Sequence, residues 1–143
     1  MAAIVIGSDH GGYRLKEFLK SRIGGMVDVG AYGEESSDYP DFAFKVAEFI
    51  RENPGAYGVL ACRSGQGMAM AVNRFPFIRG ALLFSLDLAR LAREHEDANV
   101  AILSADYFSD EQNLEFLRVF LSTPFSNEER HVRRIGKYAG EVV

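Results

Sequence analysis

Two hydrophobic periods alternate along this chain, and that alternation leaves few ways to fold it. Short β-rich apolar runs occur at Ala3–Gly7, Met26–Val29, Gly58–Ala61, Arg79–Phe84 and Val100–Leu103. Between them lie longer segments whose apolar residues recur at helical spacing, the pattern of βαβ units around a parallel sheet. In Asp41–Asn53 the residues Phe42, Val46, Phe49 and Ile50 share one helical face, and Asn53-Pro54-Gly55 ends it. Ser109 followed by Gln112 predicts a capping box, opening a helix whose Leu114, Leu117, Phe120 and Leu121 pack inward before Thr123-Pro124 stops it. The last segment, about Asn127 to Tyr138, carries Arg130, His131, Arg133, Arg134 and Lys137 with few apolar residues, so it is expected over the domain surface or a partner. The fold class is therefore α/β, a parallel sheet of about five strands with flanking helices and a basic C-terminal helix. No repeat, linker or composition break divides residues 1–143, which are read as a single domain.

Composition narrows the function. With 143 residues and 48% apolar content the chain can bury a core without disulfides or structural metal. Sixteen basic against twenty acidic residues give a net charge of −4, which argues against a general grip on nucleic acid. The start, Met1-Ala2-Ala3-Ile4-Val5-Ile6-Gly7, lacks the basic flank of a signal peptide, and no apolar run approaches a membrane span; a cytoplasmic location is expected. The single cysteine excludes an internal disulfide, and three scattered histidines give no zinc-ligand spacing, so no metal is expected.

In open parallel sheets ligands bind beyond the carboxyl ends of the strands. After the first strand comes Gly7-Ser8-Asp9-His10-Gly11-Gly12, leading into a helix near Tyr13. Asp9 and His10 at such a turn can hydrogen-bond sugar hydroxyls or phosphate; the alternative is a capped helix start, with Asp9 satisfying backbone N–H groups. After the third strand comes Cys62-Arg63-Ser64-Gly65-Gln66-Gly67, then a helical Met68–Arg74. Exposed N–H groups beside a helix N-terminus suit an oxyanion or enediolate. That field, with Arg63 alongside, is expected to lower the thiol below its free value of about 8.5, making Cys62 a base or nucleophile; the alternative is an inert buried cysteine. Three named motifs fail here. A nucleotide P-loop needs Lys and Ser or Thr after its second glycine, where Met68 and Ala69 stand. A cysteine phosphatase needs an arginine at the position of Met68, and a disulfide oxidoreductase needs a second cysteine. Acid/base chemistry on a small anion remains. A third stretch, Arg93-Glu94-His95-Glu96-Asp97-Ala98-Asn99, offers His95 and Asn99 to polarise a carbonyl or hydroxyl, unless His95 merely ends a helix.

Taken together, these segments resemble the sugar-phosphate isomerases that comprise ribose-5-phosphate isomerase B and the galactose-6-phosphate isomerase subunits. The likeness runs on through Asp38-Tyr39-Pro40-Asp41, Ala71-Val72-Asn73-Arg74, Ile78-Arg79-Gly80-Ala81 and Glu129-Arg130-His131-Val132-Arg133-Arg134, covering nearly the whole chain. The resemblance implies a Rossmann-like, doubly wound sheet and a homodimer or tetramer with active sites at the subunit interface. It also implies cofactor-free aldose–ketose isomerisation, with ribose 5-phosphate to ribulose 5-phosphate as first expectation. Cys62 matches the proton-transferring base; one branch uses a glutamate at the position of Met68 instead. Ser64 matches the hydroxyl that assists proton movement between oxygens, and the backbone from Arg63 through Gly65 and Gln66 to Gly67 matches the anion hole. Asp9, His10 and Tyr39 match substrate-binding positions, and Asn99 joins them in the expected substrate set. His95, supplied by the other subunit, matches the ring-opening residue, and Arg130 and Arg134 match phosphate ligands.

Three positions depart from the family pattern. Arg63 stands where glycine is usual, Glu96 where asparagine is usual, and Asp106 where a phosphate-gripping arginine is usual. The expectation is a compensating exchange in which Arg63 supplies the positive charge and Asp106 or Glu96 steadies it across the interface. Alternative readings are an isomerase of allose, galactose or tetrulose phosphate, or a non-catalytic sugar-phosphate binder.

Overall fold

The computed structural model describes residues 2–139. Its five strands are β1 (Ile4–Ser8), β2 (Val27–Asp28), β3 (Tyr57–Cys62), β4 (Gly80–Leu82) and β5 (Val100–Ser104). They form one sheet in the order β2-β1-β3-β5-β4, with every pair parallel. The helices are α1 (Tyr13–Arg22), α2 (Tyr39–Glu52), α3 (Gln66–Val72), α4 (Leu86–Glu94), α5 (Asp110–Ser122) and α6 (Glu129–Gly136), with a single 3₁₀ turn at His10–Gly12 before α1.

Both sheet faces are covered, so the strands are apolar throughout and sort their side chains by alternation. In β3, Val59 and Ala61 join a cluster with Leu15, Leu19, Leu117 and Phe120 from α1 and α5. Leu60 and Cys62 join the opposite cluster with Val46, Ile50, Met68 and Val72 from α2 and α3. The sheet is thus wound on both faces, in a Rossmann-like arrangement, as the strand pattern and the family likeness implied.

Local chemistry explains the boundaries. The reciprocal capping box at α5 is present: Gln112 N–H donates to Ser109 Oγ at 3.1 Å, and Ser109 N–H donates to Gln112 Oε1 at 2.9 Å. Helix α2 begins at Tyr39, ahead of the expected Asp41, because Pro40 fits its first turn, where a missing N–H loses nothing. Strand β4 is shorter than expected, since Arg79 turns aside to hydrogen-bond the 97–99 segment and Phe84 stands exposed beyond its end. The basic segment forms α6, with only His131 buried among its residues. No described helix is long and apolar enough to cross a membrane.

A charge network sits under the sheet edge. Lys16 on α1 is completely buried, its Nζ 2.6 Å from Asp28 Oδ2 and 2.9 Å from Glu17 Oε2. Lys20 joins the same two carboxylates at 2.7 and 3.2 Å. Burial pushes the Asp28 carboxyl up, but the hydrogen bonds from Lys16, Lys20 and the Gly30 N–H outweigh it and hold it below the ordinary aspartate value.

Candidate active site

Cys62 ends β3, registered against Ser104 at the end of β5, and only 5% of it is exposed. The chain then reverses through Gly65, whose φ of +85° lies in the left-handed region that a side chain would strain. That geometry turns the Gly65 N–H back onto Cys62 Sγ at 3.2 Å. Burial pushes the thiol above its ordinary value; the N–H groups of Met68, Gly65 and Ser64 pull it down without prevailing, and the negative charge of Asp9 adds to the rise. The expected lowering of this thiol is therefore corrected. Desolvation is a property of the packed core that the linear sequence does not display, and Arg63, the cation expected to help, lies over Gly11.

Strand alternation sends Arg63 to the α1 side. It lies over Gly11, where an added Cβ would stand 2.7 Å from its Cγ, and its Nη1 reaches Asp106 Oδ2 at 3.4 Å. The anticipated Arg63–Asp106 pairing forms within one chain. Glu96 takes no part in it.

The remaining residues at this end interlock. Ser104 Oγ donates to the Ser64 carbonyl at 2.6 Å, and Ser64 Oγ accepts from the Gln66 N–H at 3.3 Å. Asp9 is buried and caps the 3₁₀ turn, accepting from the Gly12 N–H at 3.1 Å, so its structural alternative is realised beside Cys62. Gly12 in turn packs on β3 so closely that an added Cβ would collide with the Ala61 carbonyl. Tyr39, at the start of α2, rests its ring on Gly67, where a Cβ would meet it at 2.6 Å. His10 Nδ1 accepts from the Ser37 N–H at 3.1 Å, while the His10 N–H donates to Ser37 Oγ at 3.0 Å.

Two cavities open here. One of about 610 Å³ is lined by Ser64, Gln66, Ser104, Phe84, Tyr107 and Phe108. A smaller one of about 400 Å³ includes His10, Arg14, Arg63, Asp106 and Asp110. Phe84, Ser104 and Tyr107 belong to no motif in the sequence, although the rule about strand ends points to them, since they end or follow β4 and β5.

His95, Asn99, Arg130 and Arg134 gather elsewhere. Asn99 immediately precedes β5, and His95 caps the end of α4, so both lie at the amino end of the sheet, one β5 length or roughly 16 Å from the Cys62 end. Both ends of the Asn99 amide are occupied: Oδ1 accepts from the Arg79 N–H at 2.7 Å, and Nδ2 donates to the Phe77 carbonyl at 2.9 Å. Buried Arg93 fastens this corner, donating to the Ala98 carbonyl at 2.7 Å and pairing with Asp97 at 2.8 Å. The His95 ring stacks on buried His131 of α6 with centroids 4.4 Å apart, and His131 Nδ1 is 2.8 Å from Ser126 Oγ. Arg130 and Arg134, four residues apart on one face of α6, are exposed; Arg130 pairs with Glu128 at 2.8 Å. A further cavity, about 690 Å³ and larger than either of the two above, lies at this end, lined by Arg74, Arg79, Glu96 and Tyr138 among others. Size does not make it the reacting site, because it holds no thiol and none of the strand-end N–H groups.

One family model, described as Ribose/Galactose Isomerase, matches residues 4–138. The chain belongs to the ribose/galactose isomerase family. Within this family, the probable ribose-5-phosphate isomerase B of Mycoplasma genitalium is 41% identical over 94% of this chain and 91% of its own length. Ribose 5-phosphate isomerase from Thermotoga maritima has a crystal structure that superposes with a TM-score of 0.92 at 42% identity, covering 96% of this chain and 97% of that one. Ribose-5-phosphate isomerase B from Mycoplasma genitalium, solved with bound ribulose-5-phosphate, superposes at 0.86 with 40% identity, over 94% and 92% of the two chains. As a ribose/galactose isomerase, the protein keeps a thiol end and a cationic end apart within one chain.

Proposed function

We propose that the protein interconverts an aldose phosphate and its ketose, with ribose 5-phosphate and ribulose 5-phosphate as the pair, and needs no cofactor. The observation that carries this reading is the Cys62 sulfur at the end of β3, buried beside the Gly65 N–H and next to the loop cavity. The ribulose-5-phosphate held by the Mycoplasma genitalium relative supports the choice of substrate.

The Cys62 thiolate takes the proton from C2 of the open-chain aldose, and the electron pair becomes the enediolate. Backbone N–H groups from Arg63 to Gly67 meet the developing oxyanion, a task for which one donor is typically worth about 10²–10³-fold in rate. Ser64 Oγ carries a proton between the two substrate oxygens, and the Cys62 thiol returns its proton to C1, so the reaction closes with no net oxidation. A raised thiol suits a base: less of it is ionised at neutral pH, but what is ionised binds a proton more strongly. Asp9, His10, Tyr39 and Gln66 hold sugar hydroxyls and the phosphate end, with Arg63 at the rim.

A second copy of the chain completes this site. His95 opens the sugar ring, and Arg130 and Arg134 grip the phosphate through planar donor forks. All three stand at the far end of the sheet from Cys62, so the partner's residues supply them in a homodimer.

Purified protein is expected to interconvert the two pentose phosphates without added metal and to wash solvent deuterium into the substrate. Cys62→Ala should abolish both, by at least about 10³-fold. Full activity in that variant would reject Cys62 as base, and binding without deuterium exchange would reduce the protein to a sugar-phosphate binder.

A further inference from the structure

We propose that Ser37 is a positioning residue that presents His10 to the substrate in a single orientation and as a single tautomer. The inference rests on the assignment of His10 as a substrate ligand.

Ser37 and His10 are joined by two reciprocal hydrogen bonds across 27 positions of sequence, one from each backbone N–H. The second bond decides the tautomer. A backbone N–H can only donate, so the Nδ1 it meets must be the unprotonated nitrogen, and the neutral ring carries its proton on Nε2. Nε2 has no hydrogen-bond partner among the described residues, and His10 lines the cavity shared with Arg14 and Arg63. The ring therefore offers that cavity a donor, the polarity a phosphate or a sugar oxygen requires. With the opposite tautomer, Nε2 would offer a lone pair to an anion that also has only lone pairs to give.

The segment carrying Ser37 is fastened at both ends, which makes it a suitable brace. At its start the Ala31 N–H donates to the Ser8 carbonyl at 2.7 Å, and the Ser8 N–H donates to the Gly30 carbonyl at the same distance. Asp28, held by buried Lys16 and by Lys20, accepts from the Gly30 N–H at 2.9 Å. At its far end Asp38 and Tyr39 enter α2, with the Asp41 N–H turned back onto the Asp38 carbonyl at 3.2 Å. Between these anchors Ser37 is the residue that touches His10, through its hydroxyl on one side and its peptide N–H on the other. The hydrogen bond made by one ring nitrogen fixes which nitrogen carries the proton and how the ring is turned, and Ser37 makes that bond at Nδ1.

The test combines nitrogen NMR with two substitutions. Long-range proton–nitrogen correlation of the neutral His10 ring should show the proton on Nε2, and titration with inorganic phosphate should move the Nε2 signal more than the Nδ1 signal. Ser37→Ala removes the acceptor for the His10 N–H but keeps the Ser37 N–H that meets Nδ1, so it tests the orientation of His10 while the nitrogen spectrum tests the tautomer. It is expected to weaken phosphate binding and raise KM about five- to tenfold while leaving kcat within about twofold, the signature of lost binding alignment. Ser37→Thr keeps both bonds and should restore KM to within about twofold. A proton on Nδ1 in the unmodified protein, or Ser37→Ala indistinguishable from the parent, would overturn the inference; so would Ser37→Thr failing as badly as Ser37→Ala. The nitrogen and phosphate readouts do not depend on turnover. If they come out as expected in a protein that isomerises nothing, the positioning role stands and the isomerase reading falls.

Discussion

The two ends of the sheet solve opposite problems. At the carboxyl end, Cys62, Asp9 and Ser104 are buried, the backbone supplies the donors, and Arg63, the guanidinium next in sequence to the thiol, pairs with Asp106 at 3.4 Å. At the amino end, Arg130 and Arg134 stand exposed, and two imidazoles stack at 4.4 Å, but no nucleophile or base of Cys62's kind is present. One end can move a proton and stabilise an oxyanion; the other can attract and clamp a dianion. The length of β5 holds the two ends roughly 16 Å apart. The difference is what the proposed dimer would reconcile: on that reading each chain contributes half of two sites.

The sharpest way to break that comparison is complementation. Cys62→Ala and His95→Ala should each lose at least about 10³-fold in kcat/KM when pure. Mixed and allowed to exchange, they should regain about one quarter of the parental activity, because half the dimers would be mixed and each would hold one intact site. No recovery, with exchange confirmed by mass, would mean that the two ends do not meet across copies. The parent should also show kcat/KM still climbing with pH beyond the ordinary cysteine value, since the reacting form is the thiolate of a thiol that burial raises. A profile that levels off below that value would contradict the raised thiol.

Next in size is the support beneath the Cys62 end. Asp28→Asn leaves buried Lys16 short of a charge partner and is expected to cost about 3 kcal/mol in urea unfolding at neutral pH. Because Asp28 is held below its ordinary value, its contribution is full above that value and is lost as pH falls through the depressed one. The variant should therefore show a flatter acid limb of stability than the parent. Removing a clamp at the other end comes third: Arg134→Ala should lower kcat/KM by about 10- to 100-fold, mostly through KM, with unfolding unchanged. The smallest effect expected is from Asp106→Asn, which frees Arg63 and should lower KM by no more than about two- to fivefold, as suits an exposed pair. A rise in KM would place Asp106, not Arg63, against the substrate.

Local rules read much of this from the sequence. All five strands, the α5 capping box and the stop after Ser122 follow from period, turn residues and caps acting within a few positions. So does the grouping of Asp9, His10 and the Cys62 loop, because parallel strands place their following turns on one edge, whereas Tyr39 follows only from the family likeness. What escaped depends on contacts distant in sequence. Lys16 sits in a helix beside Glu17 and Lys20, a pattern normally solvated, and only Asp28 explains its complete burial. Ser37 carries no signal until His10 is laid against it, and His131 reads as one more basic residue until it stacks on His95. The raised thiol escapes a sequence reading for a related reason: the N–H groups and Arg63 are visible in order along the chain, whereas the desolvation that outweighs the N–H groups is a property of the packed core.

The contact of Gly12 with the Ala61 carbonyl has a bearing on mutational tolerance. Position 12 meets the strand at the peptide just before Cys62, backbone against backbone, with no side chain between them to absorb a change. Any larger residue there would push on the strand at the peptide that carries Cys62. In a complete substitution map, position 12 should therefore score alongside the reacting residues, while Gly24, with open space around it, accepts nearly anything.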